Sequence, residues 1–450
     1  MLPRPLFARK GALRAEIAPL VSLSVPIMLA LSAATLMGVV DTVMVAPLGT
    51  VPLAAVGITS AVSILFLAAL WGIVTITGVR IAHAHGADDP AGVSAELRAG
   101  LVFGGLGATV AASIMIALLP MLGAVGQPAA VIAAVPLYWG LVAAALVPTT
   151  VFFVLKGLFD SIGRPWLGVA LSYLGVALNI PLNQLLIHEL GLGLPGAGLA
   201  SLLAQTTTLA VALRIWARSA WLAPFRQPAR SLAARLRAQW RDGAPLILGY
   251  AGEGGSYALI GVMIGWLGAT ALAANQIVHA VAGVAYVFPL GMAAAASIRV
   301  GLAVGAAERN RLRPILMAAL LIVTGWMLCV MAVLLLGGAA IARGLSDDPA
   351  VVALATTLFL AVAVMQISDG VQSTSLGALR GMLDTRRPTV ISLVAYWPIA
   401  LPAGYLLGFV ANLGAVGVWI GFCLGLSVAA LALPWRFWRL TRATGQPKDH

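Results

Sequence analysis

"LAAVGITSAV" at residues 53–62 returns as "LAANQIVHAV" at 272–281, with six of ten residues identical. The offset is 219 residues and it holds far beyond these ten. Pro26 meets Pro245, Leu48-Gly49 meets Leu267-Gly268, Gly72 meets Gly291, Arg80 meets Arg299, and Gly86-Ala87 meets Gly305-Ala306. Later the offset drifts to 224, where "LKGLFDSIGRP" (155–165) answers "LRGMLDTRRP" (379–388) with one residue inserted. It is 219 again at Gly198 and Gly417. Agreement over most of both halves marks a duplicated chain, so whatever the fold is, it is built twice.

Composition says what was duplicated. Of 450 residues, 61% are hydrophobic and 9% charged, against about 25% charged in an ordinary soluble protein. That much apolar surface requires a bilayer as its solvent. Twelve runs long enough to cross one are read, at roughly 20–46, 52–80, 97–120, 129–155, 165–187, 195–216, 243–266, 271–298, 314–341, 350–378, 388–409 and 413–435. The short alternating strands of a membrane barrel are not seen. The expected fold class is an all-α polytopic membrane protein with twelve transmembrane helices in two pseudo-symmetric six-helix lobes. An N-lobe is expected over 1–216, a basic cytoplasmic linker over 217–242 and a C-lobe over 243–450. Six spans per half is an even number, so both halves enter from one side as parallel repeats. Transporters built this way place substrate near the midplane.

The net charge is +12. With both termini in the cytoplasm, every one of the 27 Lys and Arg residues except Arg343 falls on the inner side, as the positive-inside rule demands. The basic excess therefore reports topology and contact with anionic lipid, and a nucleic-acid partner is excluded. Within the linker, "SLAARLRAQW" (231–240) is amphipathic and is expected on the inner membrane surface. Cys329 and Cys423 lie inside apolar spans and imply neither a disulfide framework nor a metal motif. The first apolar segment is far too long for a signal-peptide core, so it is read as a retained span. The excess of Arg over Lys and the abundance of Ala fit a GC-rich bacterial genome.

Three of the fifteen acids fall inside spans: Asp41, Glu253 and Asp369. Glu253 sits in "LILGYAGEGGSYALIGVMIGW" (246–266). A charge at mid-bilayer costs about 2.5–3.5 kcal/mol on the gentlest scale, and no Lys or Arg lies deep in a span to offset it. Each acid is thus protonated, bound to a cation, or facing a wet cavity. None is copied: Asp41 corresponds to Ile260, Glu253 to Ala34, and Asp369 to about Ala145. Packing common to both repeats cannot explain them. Gly252, Gly254 and Gly255 narrow the helix beside Glu253, for a substrate's approach or for close helix packing. Asn179 and Asn183, four apart around Pro181, face one side of the fifth span. They can co-ligate a small cation or bridge helices. Asn275, Gln276 and His279 polarise the eighth span, His279 as a packed or gating residue. Gln366, Ser368, Gln372, Ser373, Thr374 and Ser375 surround Asp369 as a cavity wall would. Tyr250, Tyr257 and Trp266 flank Glu253 and can stack on an organic cation or anchor the chain at the interface.

In combination, "VDTVMVAPLG" (40–49), "GEGG" (252–255), "SDG" (368–370), the paired loop motifs, and "NIPLN" (179–183) before "LPGAG" (194–198) resemble the multidrug and toxic compound extrusion (MATE) family, nearest its NorM-like bacterial branch. The resemblance covers essentially the whole chain. It implies two six-helix lobes that alternate between inward- and outward-open states, and export of organic cations in exchange for Na⁺ or H⁺. It implies a cation site of Asp41, Asn179, Asn183 and Ser201, with Asp41, Asn179 and Asn183 as ligands where the ion is Na⁺. Glu253 and Asp369 become the acids of the second lobe. Tyr257, Gln276, His279, Met365, Gln366 and Gln372 are read as lining the substrate cavity. Met365 stands where Na⁺-linked relatives can carry an aromatic residue, which favours protonation over Na⁺ binding there.

A lipid or lipid-linked oligosaccharide flippase of related architecture is the alternative, but its pyrophosphate would call for basic residues in the cavity. An enzyme is not expected: prenyl transfer wants paired acid clusters, and "DD" occurs only in loops (Asp88-Asp89, Asp347-Asp348). A passive channel does not explain the unshared acids. The expected protein is a monomer of a bacterial inner membrane, with organic cations and lipid as partners. It needs no cofactor beyond its coupling ion, H⁺ or Na⁺.

Overall fold

The computed structural model describes residues 6–124, 126–228 and 231–443. Arg4, Arg230 and Lys448, assigned above to the inner side, lie outside these. The regular elements among the described residues are all helical, and twelve are long and apolar enough to span a membrane. They are α1 (Leu6–Val45), α2 (Thr50–Gly86), α3 (Pro90–Ala117), α4 (Pro136–Ser161), α5 (Pro165–Asn183), α6 (Leu194–Arg218), α7 (Leu232–Gly265), α8 (Ala269–Gly305), α9 (Leu312–Leu345), α10 (Pro349–Gly381), α11 (Arg386–Val394) and α12 (Gly414–Ala443). π-helical turns extend α5 to Glu189 and α11, with one intervening α-helical turn, to Val410. Helices of this number and position match the spans read from hydropathy.

Local chemistry sets the ends. Asp89 accepts from the Gly92 amide (2.8 Å) and Pro90 opens α3. Asp348 accepts from the Ala350 amide (2.8 Å) and Pro349 opens α10. An acidic cap before a proline satisfies an orphan N–H and presets the first helical φ. The second residue of each loop "DD" pair, Asp89 or Asp348, is thus a helix cap. The longest helices outrun the hydrocarbon layer: α1 has 40 residues and α8 has 37, roughly 60 and 55 Å at 1.5 Å per residue against a core of about 30 Å. Exposed faces of the spans are apolar, with Leu336 of α9 90%, Val284 of α8 77% and Leu431 of α12 76% exposed, surface suited to lipid tails.

The duplication reaches the backbone. Gly49 (φ 109°, ψ −178°) caps α2, and its counterpart Gly268 (φ 107°, ψ 175°) caps α8. Only glycine adopts that conformation without strain. Gly72 of α2 meets Ile247 of α7, where an added Cβ would lie 2.6 Å from the Ile247 amide nitrogen. Its counterpart Gly291 of α8 meets Ser24 and Met28 of α1, where a Cβ would lie 2.9 Å from the Ser24 carbonyl oxygen. The π turns repeat as well. Leu190 N–H donates to Leu185 O (2.8 Å) and Leu192 N–H to Leu186 O (3.1 Å). Ala411 donates to Leu406 (2.8 Å) and Leu413 to Leu407 (3.1 Å) in the second copy.

Two compact units result: one is Leu29–Ala251, the other Met1–Met28 with Gly252–His450. The boundaries fall inside α1 and α7, not at the ends of the linker. Ion pairs tie the flanking segments to their own units. In the first unit Arg80 donates to Glu96 (2.9 and 3.0 Å) and to Asp242 (2.9 Å), while Arg235 donates to Glu96 (2.6 Å). Residues 231–240, expected as a separate surface segment, are largely the opening turns of α7, held there by these bonds and by Gln239 to Glu96 (2.9 Å). In the second unit Arg299, the counterpart of Arg80, donates to Glu16 of α1 (2.6 Å), as does Arg311 (2.8 Å).

The paired loop motifs diverge in their bonding. Lys156 donates to Asp160 four residues on (2.6 Å), both buried. In the other copy Asp384 is taken by Arg436 through two bonds (2.5 and 2.9 Å).

Candidate functional site

The first acid centre lies wholly in the Leu29–Ala251 unit. Asp41 is partly buried near the outer end of α1. Three donors converge on its carboxylate: Nδ2 of Asn179 (3.0 Å) and of Asn183 (2.8 Å) on Oδ1, and the Ser201 hydroxyl (2.6 Å) on Oδ2. The i, i+4 spacing of the two amides delivers both from one face of α5. Asn183 also donates to Asn179 Oδ1 (3.0 Å), and Asn179 to Ser201 (3.1 Å). Asn179 and Asn183 are fully buried. One turn inward, Gln205 donates to the Met37 sulfur (3.2 Å). The sequence assigned these four residues to one site, and the structure brings all four into direct contact.

The cluster solvates an anion well, since charge-assisted hydrogen bonds are strong and short, but it does not neutralise one. It leaves the buried Oδ1 of Asn183 without a partner. The oxygens of Asp41, Asn183 and Ser201 together form the hard donor set a monovalent cation such as Na⁺ favours. Tyr138, 4% exposed, lies within electrostatic reach of Asp41. No local sequence pattern marks it.

The second centre lies wholly in the other unit. Glu253 of α7 and Asp369 of α10 act on one another electrostatically, and the phenols of Tyr286 and Tyr396 are hydrogen-bonding neighbours of Glu253. The Tyr396 hydroxyl accepts from Gln372 Nε2 (2.6 Å). Gln366, Asp369 and Gln372 are each almost completely buried, yet Gln366 Nε2, Asp369 Oδ1 and Gln372 Oε1 are unpartnered. Buried polar atoms are nearly always satisfied, so these three atoms are open to hydrogen bonding with a ligand, an ion or water. Tyr257 stands edge-on to Phe422 (4.7 Å) and His279 (5.7 Å), with Glu253 and Asp369 within its electrostatic reach. Gln276 and His279 are exposed. Met365, 2% exposed, packs into the apolar cluster of Phe359, Trp419 and Phe422.

The structure bears on several readings left open above. Gly252 and Gly255 beside Glu253 serve packing: Trp397 donates to the Gly252 carbonyl (3.1 Å), and its ring would meet a Cβ at Gly255 (3.3 Å). Of the three aromatics that flank Glu253 in sequence, only Tyr257 stays with it. Tyr250 pairs with Thr75 (3.3 Å) and Trp266 rests on Phe409 (5.9 Å). Asn275 is a structural acceptor for Trp419 (3.1 Å). The acids are also not free of basic neighbours, because Arg380, buried at the inner end of α10, acts electrostatically on Glu253. Hydropathy placed Arg380 in a loop since it lies at a span's edge. Tyr286 could have been found, being two helical turns from His279 on one face of α8. Tyr396 sits in "AYWPIA" and carries no such sign.

A family model described as MatE matches residues 26–185 and again 245–406, the two copies of the repeat. Relatives over nearly the full length are named as multidrug resistance proteins NorM. The one from Burkholderia vietnamiensis is 35% identical (92% of both chains), and a probable one from Burkholderia pseudomallei 34% (99% of this chain, 96% of that one). Another probable one, from Deinococcus radiodurans, is 31% identical over 98% of both chains. Among solved structures, the Vibrio cholerae MATE transporter VcmN in its bent form superposes with TM-score 0.87 at 21% identity, over 96% of this chain and 98% of that one. The eukaryotic MATE transporter AtDTX14 superposes with 0.87 at 20%, over 96% and 99%. With twelve spanning helices built as a doubled six-helix unit, the chain belongs to the MatE family of membrane transporters and is not an enzyme.

Proposed function

We propose that the protein is a cation-coupled antiporter of a bacterial inner membrane. It exports amphiphilic organic cations by alternating access of its two lobes in exchange for H⁺ or Na⁺, with both termini cytoplasmic. The observation that carries this reading is the pair of acid centres inside the membrane, present once each and not in both repeats. Intramembrane carboxylates are costly and mark ion or substrate pathways. Partly buried acids attract positive substrates, and the aromatic faces of Tyr257 and Phe422 beside Glu253 and Asp369 suit an organic cation. The names of the NorM relatives point the same way. Exchange follows from charge: a carboxylate site that holds a proton or Na⁺ is neutral and releases the organic cation, and one that has lost its ion attracts the next. Loading Asp41 would draw its cluster together and bend α1 near Gly38, which has open space around it.

The test uses purified protein in vesicles with a fluorescent organic cation such as ethidium. A Na⁺ gradient and a pH gradient are imposed separately. Uphill ethidium movement under at least one gradient, and none without a gradient, is expected. Equal ethidium flux with and without either gradient would remove the antiport reading.

A further inference from the structure

We infer that His279 sets the charge selectivity of the second centre: its imidazolium and an organic cation exclude one another beside Tyr257, so that binding the cation sends the proton of this ring to water. The inference rests on the reading above that the organic cation docks at Tyr257 and the acids near it. The duplication isolates the residue. In the ten-residue match between the copies, Val56, Gly57 and Ser60 of the first stand where the second has Asn275, Gln276 and His279. Asn275 is taken by Trp419 (3.1 Å). Gln276 and His279, three apart, share a face of α8 and are exposed. The other histidines among the described residues stand near helix ends, His83 and His85 in the last turn of α2 and His188 in the π turns beyond α5. His279 lies well inside its span, about 15 Å from the start of α8.

Ring contacts fix its surroundings. The imidazole lies 5.7 Å from the ring of Tyr257, at 66° to it. Tyr257 is 4.7 Å from Phe422, and Phe422 is stacked on Tyr396 (5.9 Å, 18°). Tyr396 accepts from Gln372 (2.6 Å), which follows Asp369 by one turn on α10. Glu253 precedes Tyr257 by one turn on the same face of α7, about 6 Å along the axis. The first copy has Gly38, Ser60 and Leu203 in the places of Tyr257, His279 and Phe422. These ring contacts, like the acids, belong to one copy only, and packing shared by the repeats does not account for them.

Imidazole is the side chain that changes charge between about pH 5 and 8. Neutral, His279 leaves the carboxylates and the ring of Tyr257 to an arriving cation. Protonated, it places its own positive charge there, and like charges close together in a poorly solvated wall repel. Around the Tyr257 ring stand Glu253 of α7, Tyr286 of α8, Asp369 of α10 and Tyr396 of α11, with Cys423 of α12 against the same apolar cluster. Between Arg313 and Arg343 at its ends, α9 carries only Cys329 as a titratable group, and Arg380 lies three turns beyond Asp369 on α10. Protonating either carboxylate also weakens cation binding in acid, so His279 has to be read apart from them. Linkage is reciprocal: a proton that weakens the cation is weakened by it in the same ratio.

The experiment measures ethidium binding to the purified protein by fluorescence at about pH 8 and about pH 5.5, either side of the midpoint of imidazole. It uses the wild type, His279→Gln and His279→Arg. At each pH the Kd of the wild type is divided by that of His279→Gln, so that responses common to both cancel. A group that titrates at about 6.5, the reference for imidazole, and fully excludes the cation raises this ratio about tenfold on going to the lower pH. His279→Arg, with a permanent charge, should bind ethidium weakly at both. The same ratio for an uncharged fluorescent amphiphile, N-phenylnaphthylamine, should stay flat. A role in packing alone would shift the ethidium ratio equally at both pH values. Should His279→Gln not fold, His279→Ser, which restores the residue of the first copy, takes its place. An ethidium ratio that stays flat, or a naphthylamine ratio that rises as much, overturns the inference, while ethidium binding itself leaves the organic-cation reading standing. Absence of ethidium binding to the wild type at either pH removes that reading and this inference together.

Discussion

The two acid centres differ in how much of their hydrogen bonding is finished. Asp41 sits at the focus of three donors, and one atom of its cluster, Asn183 Oδ1, is left over. Around Asp369 one of its own oxygens and both neighbouring glutamines have unpartnered atoms, while the nearby phenols and Arg380 supply longer-range electrostatics. A completed polar network is rigid and has one preferred arrangement, whereas a partly satisfied one is high in energy until something enters it. Under the proposed antiport, the first centre would serve as a switch thrown by one small ion and the second as a receptor that trades occupants. That division could not come from the duplicated part of the chain, since none of the three acids is shared between the copies.

The comparison can be broken most directly at the second centre. Asp369→Asn and Glu253→Gln keep shape and lose charge, and each should reduce gradient-driven ethidium efflux to background at normal expression. Full resistance in cells carrying either variant would show its charge to be unnecessary. Asp41→Asn should be nearly as severe for transport but different in kind, with export stopping while ethidium binding to the purified protein survives. Loss of binding and transport together would erase the distinction between switch and receptor.

A finer test is Asn183→Ala. It removes the Asn183 Oδ1 that would ligate Na⁺, a contact to a charged group of about 1.5–3 kcal/mol, so apparent Na⁺ affinity should fall by about one to two orders of magnitude. H⁺-driven export should suffer less, because a proton needs one acceptor and Na⁺ needs several. Unchanged Na⁺ stimulation in this variant, or none in the parent, would leave Asp41 as a proton carrier at most. The smallest effects on transport should come from duplicated positions. Gly72→Ala and Gly291→Ala each press a methyl group on a neighbouring backbone, at about 1–3 kcal/mol by analogy with overpacked cores. Thermal unfolding should shift down in both, in parallel, with coupling ratios unchanged. A strongly unequal response would show that the repeats are less alike than their backbones.

These contrasts also mark what can be read from residues alone. The twelve spans were legible because hydropathy needs only local composition. The doubled architecture was legible because Gly49 and Gly268, or Gly72 and Gly291, are held by backbone geometry that admits no other residue comfortably. Helical spacing made the two amides of the Asp41 cluster legible on one face, while their grouping with Asp41 and Ser201 came from the family resemblance. The surroundings of Glu253 were harder. Tyr396 and Arg380 are ordinary residues in their own segments and become informative only when α10 and α11 are placed beside α7. The unit boundaries were hidden for a related reason. An apolar stretch does not reveal that a single helix serves two bodies, and only Glu16 with Arg299, or Asp242 with Arg80, says where each part belongs.

That last arrangement has a consequence for how the chain is made. The unit spanning Leu29–Ala251 is complete in sequence as soon as Ala251 has left the ribosome, and domains tend to fold in order of synthesis. The other unit takes one segment from before Leu29 and the rest from after Ala251. Glu16 must therefore wait, its carboxylate without Arg299 and Arg311, while all of the first unit is translated and inserted. A chain truncated after Ala251 still contains everything its unit needs. Deleting the first 28 residues removes a piece of the unit made last. Until Arg299 and Arg311 have been made, the segment that carries Glu16 has neither of the partners that hold it in the finished fold.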